Sequence, residues 1–275
     1  MTNLYATLAD VKDQLSIIAT TYDVAIMRML EAASRRIDGV AETHFYVDSA
    51  ARYFDTNNNY SVALIDDCLS LSALAMDSEG DDTFDGETWM STDYILAPDN
   101  RFPKWKLQLT KAGNYSFPKD ARRYIKATGL WGYGDGESAT PYTTASGASC
   151  TLADATTTTF DASDVTDIVI GNTIIVGSEQ MYVAAIATTT LTVTRGVNGT
   201  AAASHSAAAI SVYQYPAEVV QTCINVAVMD WKQRKSHGLD FEMIDTYQYR
   251  LSSQAGDDKK IAHSLGRVMW SRTGR

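Results

Sequence analysis

The chain has 275 residues, 45% of them apolar and 20% charged, an ordinary balance for a globular protein and enough for one large domain or two modest ones. Its 33 acidic residues outnumber 23 Lys and Arg, and the resulting net charge of −10 argues against general nucleic-acid binding, which depends on neutralising phosphates. No apolar run approaches the roughly 20 residues of a membrane-spanning helix, and the polar, acidic opening MTNLYATLADVKD does not read as a secretory signal.

Thr7 is placed to cap a first short helix, with Asp10 three residues on in the reciprocal position. A second helix is predicted from near Asp23. Ile26, Leu30, Ala33 and Ile37 share one face at helical spacing, while Arg28, Glu31, Arg35 and Asp38 lie off it. Gly39 is the expected stop. Between residues 45 and 133 the period shifts to that of strands. Trp105, Leu107 and Leu109 alternate with Lys104, Lys106 and Gln108. Turn residues recur at 57–59, 80–82, 98–100 and 113–114, so this region reads as an antiparallel meander packed on the helices.

Charge is segregated within the meander. No Lys or Arg falls between Arg52 and Arg101, where carboxylates gather. Beyond Arg101 the balance reverses, with Lys104, Lys106, Lys111, Lys119, Arg122, Arg123 and Lys126 against a lone Asp120. Two solvated faces that partly neutralise each other account for this. So does a subunit with one acidic and one basic flank, suited to head-to-tail association in a closed ring. On the second reading Lys104, Lys106, Arg122, Arg123, Asp81, Asp82 and Asp85 are inter-subunit candidates.

The stretch 132–150 is rich in Gly, Ser and Thr and reads as a linker. Residues 145–215 then form a separate β module dominated by Thr, Val and Ile, with turn signals at Gly171-Asn172 and Asn198-Gly199 and Arg195 as its only Lys or Arg. It is expected to fold as a sandwich or barrel inserted into a larger domain. Helical pattern resumes at Pro216, a suitable first residue, with Val220, Ile224, Ala227 and Trp231 on one face. Lys232, Arg234 and Lys235 precede a stop at Gly238, and a further helical stretch is predicted within 241–253. The tail 259–275 is basic without a carboxylate and carries an apolar stripe of Ile261, Leu265 and Val268, a pattern that fits a partner's acidic groove. The predicted organisation is therefore a core of 1–144 and 216–258, an inserted module at 145–215 and a tail at 259–275.

Motifs for chemistry are lacking. Asp77, Glu79 and Asp81 have calcium-loop spacing, but Asp82 stands where such a loop needs Gly and Thr88 where it needs Glu. Asp66 and Asp67 are adjacent in a strand and so face opposite ways. His44, His205, His237 and His263 have no partner at metal-pair spacing. Cys68, Cys150 and Cys223 are far apart and odd in number, consistent with free thiols packed as small hydrophobes. GYGDGE lacks the strand and helix context of a phosphate loop. No catalytic residue, cofactor or metal is expected, and the chain does not read as an enzyme.

The order of several short motifs resembles the head–tail connector (adaptor, or head-completion) proteins of tailed bacteriophages. The parts are LADVKDQL and AASRRID, a THFY turn, the strand LIDDCLSLSALAMD, then Trp89, Asp93, Tyr94, Leu96 and Pro98. Phe117, Pro118, Arg122, Thr128, Gly129, Trp131, Gly132 and Tyr133 follow, and Pro216, Trp231, Arg234 and Gly238 close the series. The likeness covers 1–135 and 216–255; the β module departs from it and is similar to small β inserts of phage structural proteins. The resemblance implies an α+β fold, a helical adaptor core with a small antiparallel β meander plus the inserted all-β module. It also implies a homo-oligomeric ring, usually dodecameric, beneath the portal at the virion neck, assembled in the host cytoplasm. Such a ring extends the DNA channel, passes DNA without reading its sequence, involves no membrane, and offers a platform to a tail, stopper or nozzle protein. Portal contact would fall on Lys259, Lys260, Ile261, Leu265, Arg267, Val268, Met269, Trp270, Arg272 and Arg275. Asp77, Glu79 and Glu87 are the first carboxylates expected to face the channel. One alternative is a virion binding module whose insert recognises a host glycan or a tail-fibre protein; a second is an enzyme such as a cell-wall hydrolase, which would need paired acid residues in a cleft.

Overall fold

The computed structural model describes residues 3–85, 87–111, 115–234, 241–244, 247–250 and 254–266. The chain divides into two compact units. One comprises Met1–Thr43, Thr143–Val197 and Ala202–Arg275, the other His44–Tyr142 with Asn198–Ala201.

The second unit is built on one six-stranded sheet. Its strands are β1 (Asp48–Phe54), β2 (Val62–Met76), β3 (Glu87–Trp89), β4 (Tyr94–Ala97), β5 (Lys104–Leu109) and β6 (Ile125–Trp131). The order is β1-β6-β2-β5-β4, with β3 also paired to β2, and every pair is antiparallel. Strand β2 is long enough to serve two neighbours. Its first half pairs with β5, its second with β6, and register shifts near Cys68 and Leu71 let it bend between them. Ala63, Ile65, Leu74, Met76, Leu107, Leu109, Phe117, Ile125, Ala127 and Trp131 form the core on one face. Asp66 is exposed and Asp67 buried, as alternation requires.

The glycines and aromatics of 128–133 have structural work here. A Cβ on Gly129 would lie 2.2 Å from the Ser70 carbonyl oxygen, so only Gly lets β6 approach the bulged β2. Trp131 is fully buried, donates from Nε1 to the Ala50 carbonyl at 2.9 Å, and carries the Arg52 guanidinium over its ring.

The first unit combines helices with a second sheet. Helix α1 (Leu8–Leu15) opens on a capping box: Thr7 accepts from the Asp10 N–H while the Asp10 carboxylate accepts from the Thr7 N–H. Helix α2 (Asp23–Ala41) buries Ile26, Leu30, Ala33 and Ile37 as the spacing requires, but passes Gly39 and stops where Glu42 turns left-handed, at φ 53°. Helix α3 (Ala217–Gln233) has Pro216 at its N-cap, and its buried face centres on Val219, Cys223, Val226 and Ala227. Helix α4 (Gln254–Ser264) packs against α2 and α3. Lys12 joins Asp23 at 2.7 Å, Arg36 joins Asp258 at 2.7 Å, and Ser34 Oγ lies 3.5 Å from Cys223 Sγ.

The second sheet contains β7 (Tyr142–Leu152), β8 (Thr159–Asp161), β9 (Thr173–Val176), β10 (Glu179–Ala187), β11 (Thr190–Thr194) and β12 (His205–Tyr213) in the order β7-β12-β9-β10-β11-β8. A bridge between Cys150 and Ala162, just after β8, brings the two ends of this order together. Small inward residues (Ala145, Ala148, Cys150, Ala162) and larger ones (Leu152, Phe160, Ile174, Val176, Met181, Val183, Leu191, Val193, Ile210) fill the interior.

These elements correct the expected architecture. Among the described residues strands outweigh helices, 35% against 22%, so the structure is mostly β, not a helical core with a small meander. The meander is a full sheet with a hydrophobic core of its own, and the described helices group with the second sheet. The 132–150 stretch is no mere linker: from Tyr142 it is strand β7, whose small residues are what the crowded interior of the sheet demands. Where a helix was expected within 241–253, the described residues form an antiparallel pair, β13 (Phe241–Ile244) and β14 (Tyr247–Arg250), with Phe241 opposite Arg250. The stop expected at Gly238 lies outside the described residues.

Candidate functional site

A dense polar constellation is buried in the β module. Glu179 opens β10 with its side chain fully covered. Arg195, just after β11, donates Nε to Oε1 at 2.6 Å and Nη2 to Oε2 at 2.7 Å. The Gly196 and Ala203 N–H groups add bonds at 3.1 and 3.0 Å, and His205 Nε2 lies 2.8 Å from Oε2. Arg195 also donates to the carbonyls of Asp154, Thr157 and Ala203. Burial alone would raise the Glu179 pKa, but the bonds from Arg195, His205 and Ala203 outweigh it and hold the carboxyl down at about 2. Every lone pair and donor of this pair is in use, so the cluster ties the loop before β8, β10, the end of β11 and the start of β12 together and leaves nothing for a substrate. A lone Arg in a module otherwise free of Lys and Arg was the sequence signal for it.

The thiols are equally enclosed. Burial pushes Cys68 up to about 12, and Cys150 and Cys223 to about 11, so each is a protonated, unreactive thiol at neutral pH. Among the described residues no group of three or more His, Cys, Asp or Glu is placed to hold a metal ion. Of the insert's aromatics, Phe160, Tyr182 and Tyr213 are buried and Tyr215 is half-buried.

The acidic stretch is a turn joining β2 to β3, with Met76 opposite Glu87. Asp77 is directed onto the turn itself, accepting the N–H groups of Gly80, Asp81 and Asp82 at 2.8, 3.1 and 3.1 Å. Glu79, Asp81, Asp82 and Asp85 stay exposed around it.

The basic candidates divide. Lys104 is only 8% exposed, and its Nζ donates to the Pro98 and Asp99 carbonyls, both at 2.7 Å. It closes its own loop, which corrects its assignment to an inter-subunit contact. Arg123 pairs with Asp82 at 3.3 Å and covers the Tyr53 ring, so it too is engaged within the chain. Lys126 lies over Phe84. Lys106 sits over Trp105 at 4.0 Å, and Arg122 is exposed.

In the tail, Lys259 and Lys260 are exposed on α4, whereas Ile261 and Leu265 are 2% and 0% exposed among the chain's own helices. Their burial corrects the expectation that these two residues meet a partner: both are already covered by the chain itself. Arg267, Val268, Met269, Trp270, Arg272 and Arg275 lie outside the described residues. No family model, curated protein or solved structure matches the chain.

Proposed function

We propose that the chain is a structural connector of a tailed-phage neck, which assembles as a ring beneath the portal and carries a tail or stopper protein. The observation that supports this reading best is where the resembling segments fall. Two helices near the start and one 175 or so residues later in sequence form a single packed layer: α1 and α2 both contact α3, Ser34 meets Cys223, and the Tyr22 and Trp231 rings lie 5.2 Å apart. Within the other unit, the Thr128 to Tyr133 motif forms the close approach of β6 to β2. The motifs shared with the family are thus packing motifs, which suits a mechanical role.

Portal attachment is assigned to the exposed Lys259 and Lys260 and to residues 267–275. Many modest anchors in one ring give a strong hold, because each bound copy raises the effective concentration of the next. The acidic balance of the chain suits a channel that repels phosphate and keeps DNA mobile. The test is co-sedimentation with the cognate portal. The intact chain is expected to travel with portal, and a chain ending at Gly266, which keeps the whole of α4, is expected not to. Equal attachment of both would remove the tail from the account.

A further inference from the structure

In register across the outer face of β2, β5 and β4, Leu64 stands opposite Lys106 and Lys106 opposite Ala97, while Val62 stands opposite Gln108 and Gln108 opposite Ile95. The reverse face holds Ala63, Ile65, Leu107 and Leu109 in the core. Leu64 is 48% exposed and Ile95 47%, so two large aliphatic side chains lie open on the face that carries Lys106, itself half-buried over the Trp105 ring. Arg101 and Lys111, both exposed, stand beyond the two ends of β5. The turn after β2 has the opposite character: Glu79, Asp81 and Asp85 are exposed, and Met90, just past β3, is 72% exposed. Among the described residues, Arg123 with Asp82 is the one ion pair made by that turn, and none joins it to Arg101, Lys106 or Lys111. The two charge sets are therefore not neutralised by each other within one copy.

We propose that the β2–β5–β4 face receives the 77–90 turn of a second copy, Lys106 and Arg101 meeting Glu79 and Asp85 while Leu64 and Ile95 cover Met90. This rests on the ring reading above and specifies its contact. A cationic, half-apolar face and an acidic corner with an apolar tip are complementary in both respects, and one chain carries both. Because the two patches differ, the contact is heterologous, and its repetition generates a ring when the rotation between copies closes. Screening of the paired charges makes it salt-sensitive.

Self-association is measured on the purified full chain, without portal, by mass photometry and light scattering at about 50 mM and about 500 mM salt. Assembly is expected at the lower concentration and a weakening of about tenfold or more at the higher. A basic-face variant, Arg101→Glu with Lys106→Glu, and an acidic-turn variant, Glu79→Lys with Asp85→Lys, are each expected to stay monomeric with unchanged thermal midpoints. Mixed together they are expected to assemble again, in strict alternation, because each carries what the other lacks. Monomeric wild type, variants that assemble unaided, or a mixture that fails to assemble would each overturn this contact. Portal binding is read separately, so such a failure leaves the connector reading to its own test.

Discussion

Arg195 grips Glu179 through two parallel bonds of 2.6 and 2.7 Å, with the two side chains 5% and 0% exposed. Removing either partner strands a charge in the interior of the β module. Glu179→Gln and Arg195→Met, made singly, are expected to cost about 3–5 kcal/mol. Denaturant unfolding of the full chain checks this, and a loss below about 1 kcal/mol would show that the pair is not the module's keystone.

The same carboxylate sets an acid limit. Its folded pKa of about 2 lies below the ordinary value of 4.5, so the folded state binds fewer protons than the unfolded one between these values. The stability it supplies is complete above pH 4.5 and is lost as pH falls through about 2. Asp38 has the opposite sign. Burial raises its pKa to about 6 despite the Tyr5 hydroxyl and the Arg35 charge, so its contribution is complete below 3.8 and lost as pH rises through about 6. Asp38→Asn is expected to flatten the stability profile between about pH 4 and 6 and to leave the acid limb unchanged, as read from unfolding curves across pH.

Gly199 has φ +73°, and a Cβ there would fall 2.1 Å from the Ser49 carbonyl oxygen, next to the bond that the Ser49 N–H donates to Asn198. Gly199→Ala is expected to destabilise by about 1–3 kcal/mol through strain and the lost approach. Gly147 also has a positive φ, +68°, but nothing within 4 Å, so Gly147→Ala is the milder control. Thermal midpoints of the two variants give the comparison.

On α4 the apolar and basic residues are expected to separate in their effects. Ile261→Ala and Leu265→Ala open cavities among the helices and are expected to cost about 2–5 kcal/mol each. Lys259→Glu, at an exposed position, is expected to leave stability within about 0.5 kcal/mol and to weaken portal attachment. Stability and co-sedimentation measured on the same three proteins check both halves.

Local chemistry was legible in the sequence. Thr7 and Asp10, three residues apart, specify a cap, and the α2 stripe specifies its own buried face. Balance between the elements was not. Strong helical periodicity at both ends suggested a helical core, whereas the strands, short and separated by turns, add up to more of the chain. The 142–152 segment misled because Thr, Ser, Gly and Ala suit both a linker and a strand facing a tight interior. Residues 241–250 misled because a short apolar run fits either period. Among the site residues, charge type was readable but engagement was not: nothing in sequence distinguishes Lys104, buried and tied to two carbonyls, from Lys106, half-buried over the Trp105 ring on the same strand.

The connector reading is tested most directly by electron microscopy of the purified chain mixed with its portal. The account predicts closed rings of this protein stacked coaxially on the portal ring, with a continuous central channel. Single copies scattered beside unoccupied portal rings, at concentrations where both proteins are folded, would contradict it.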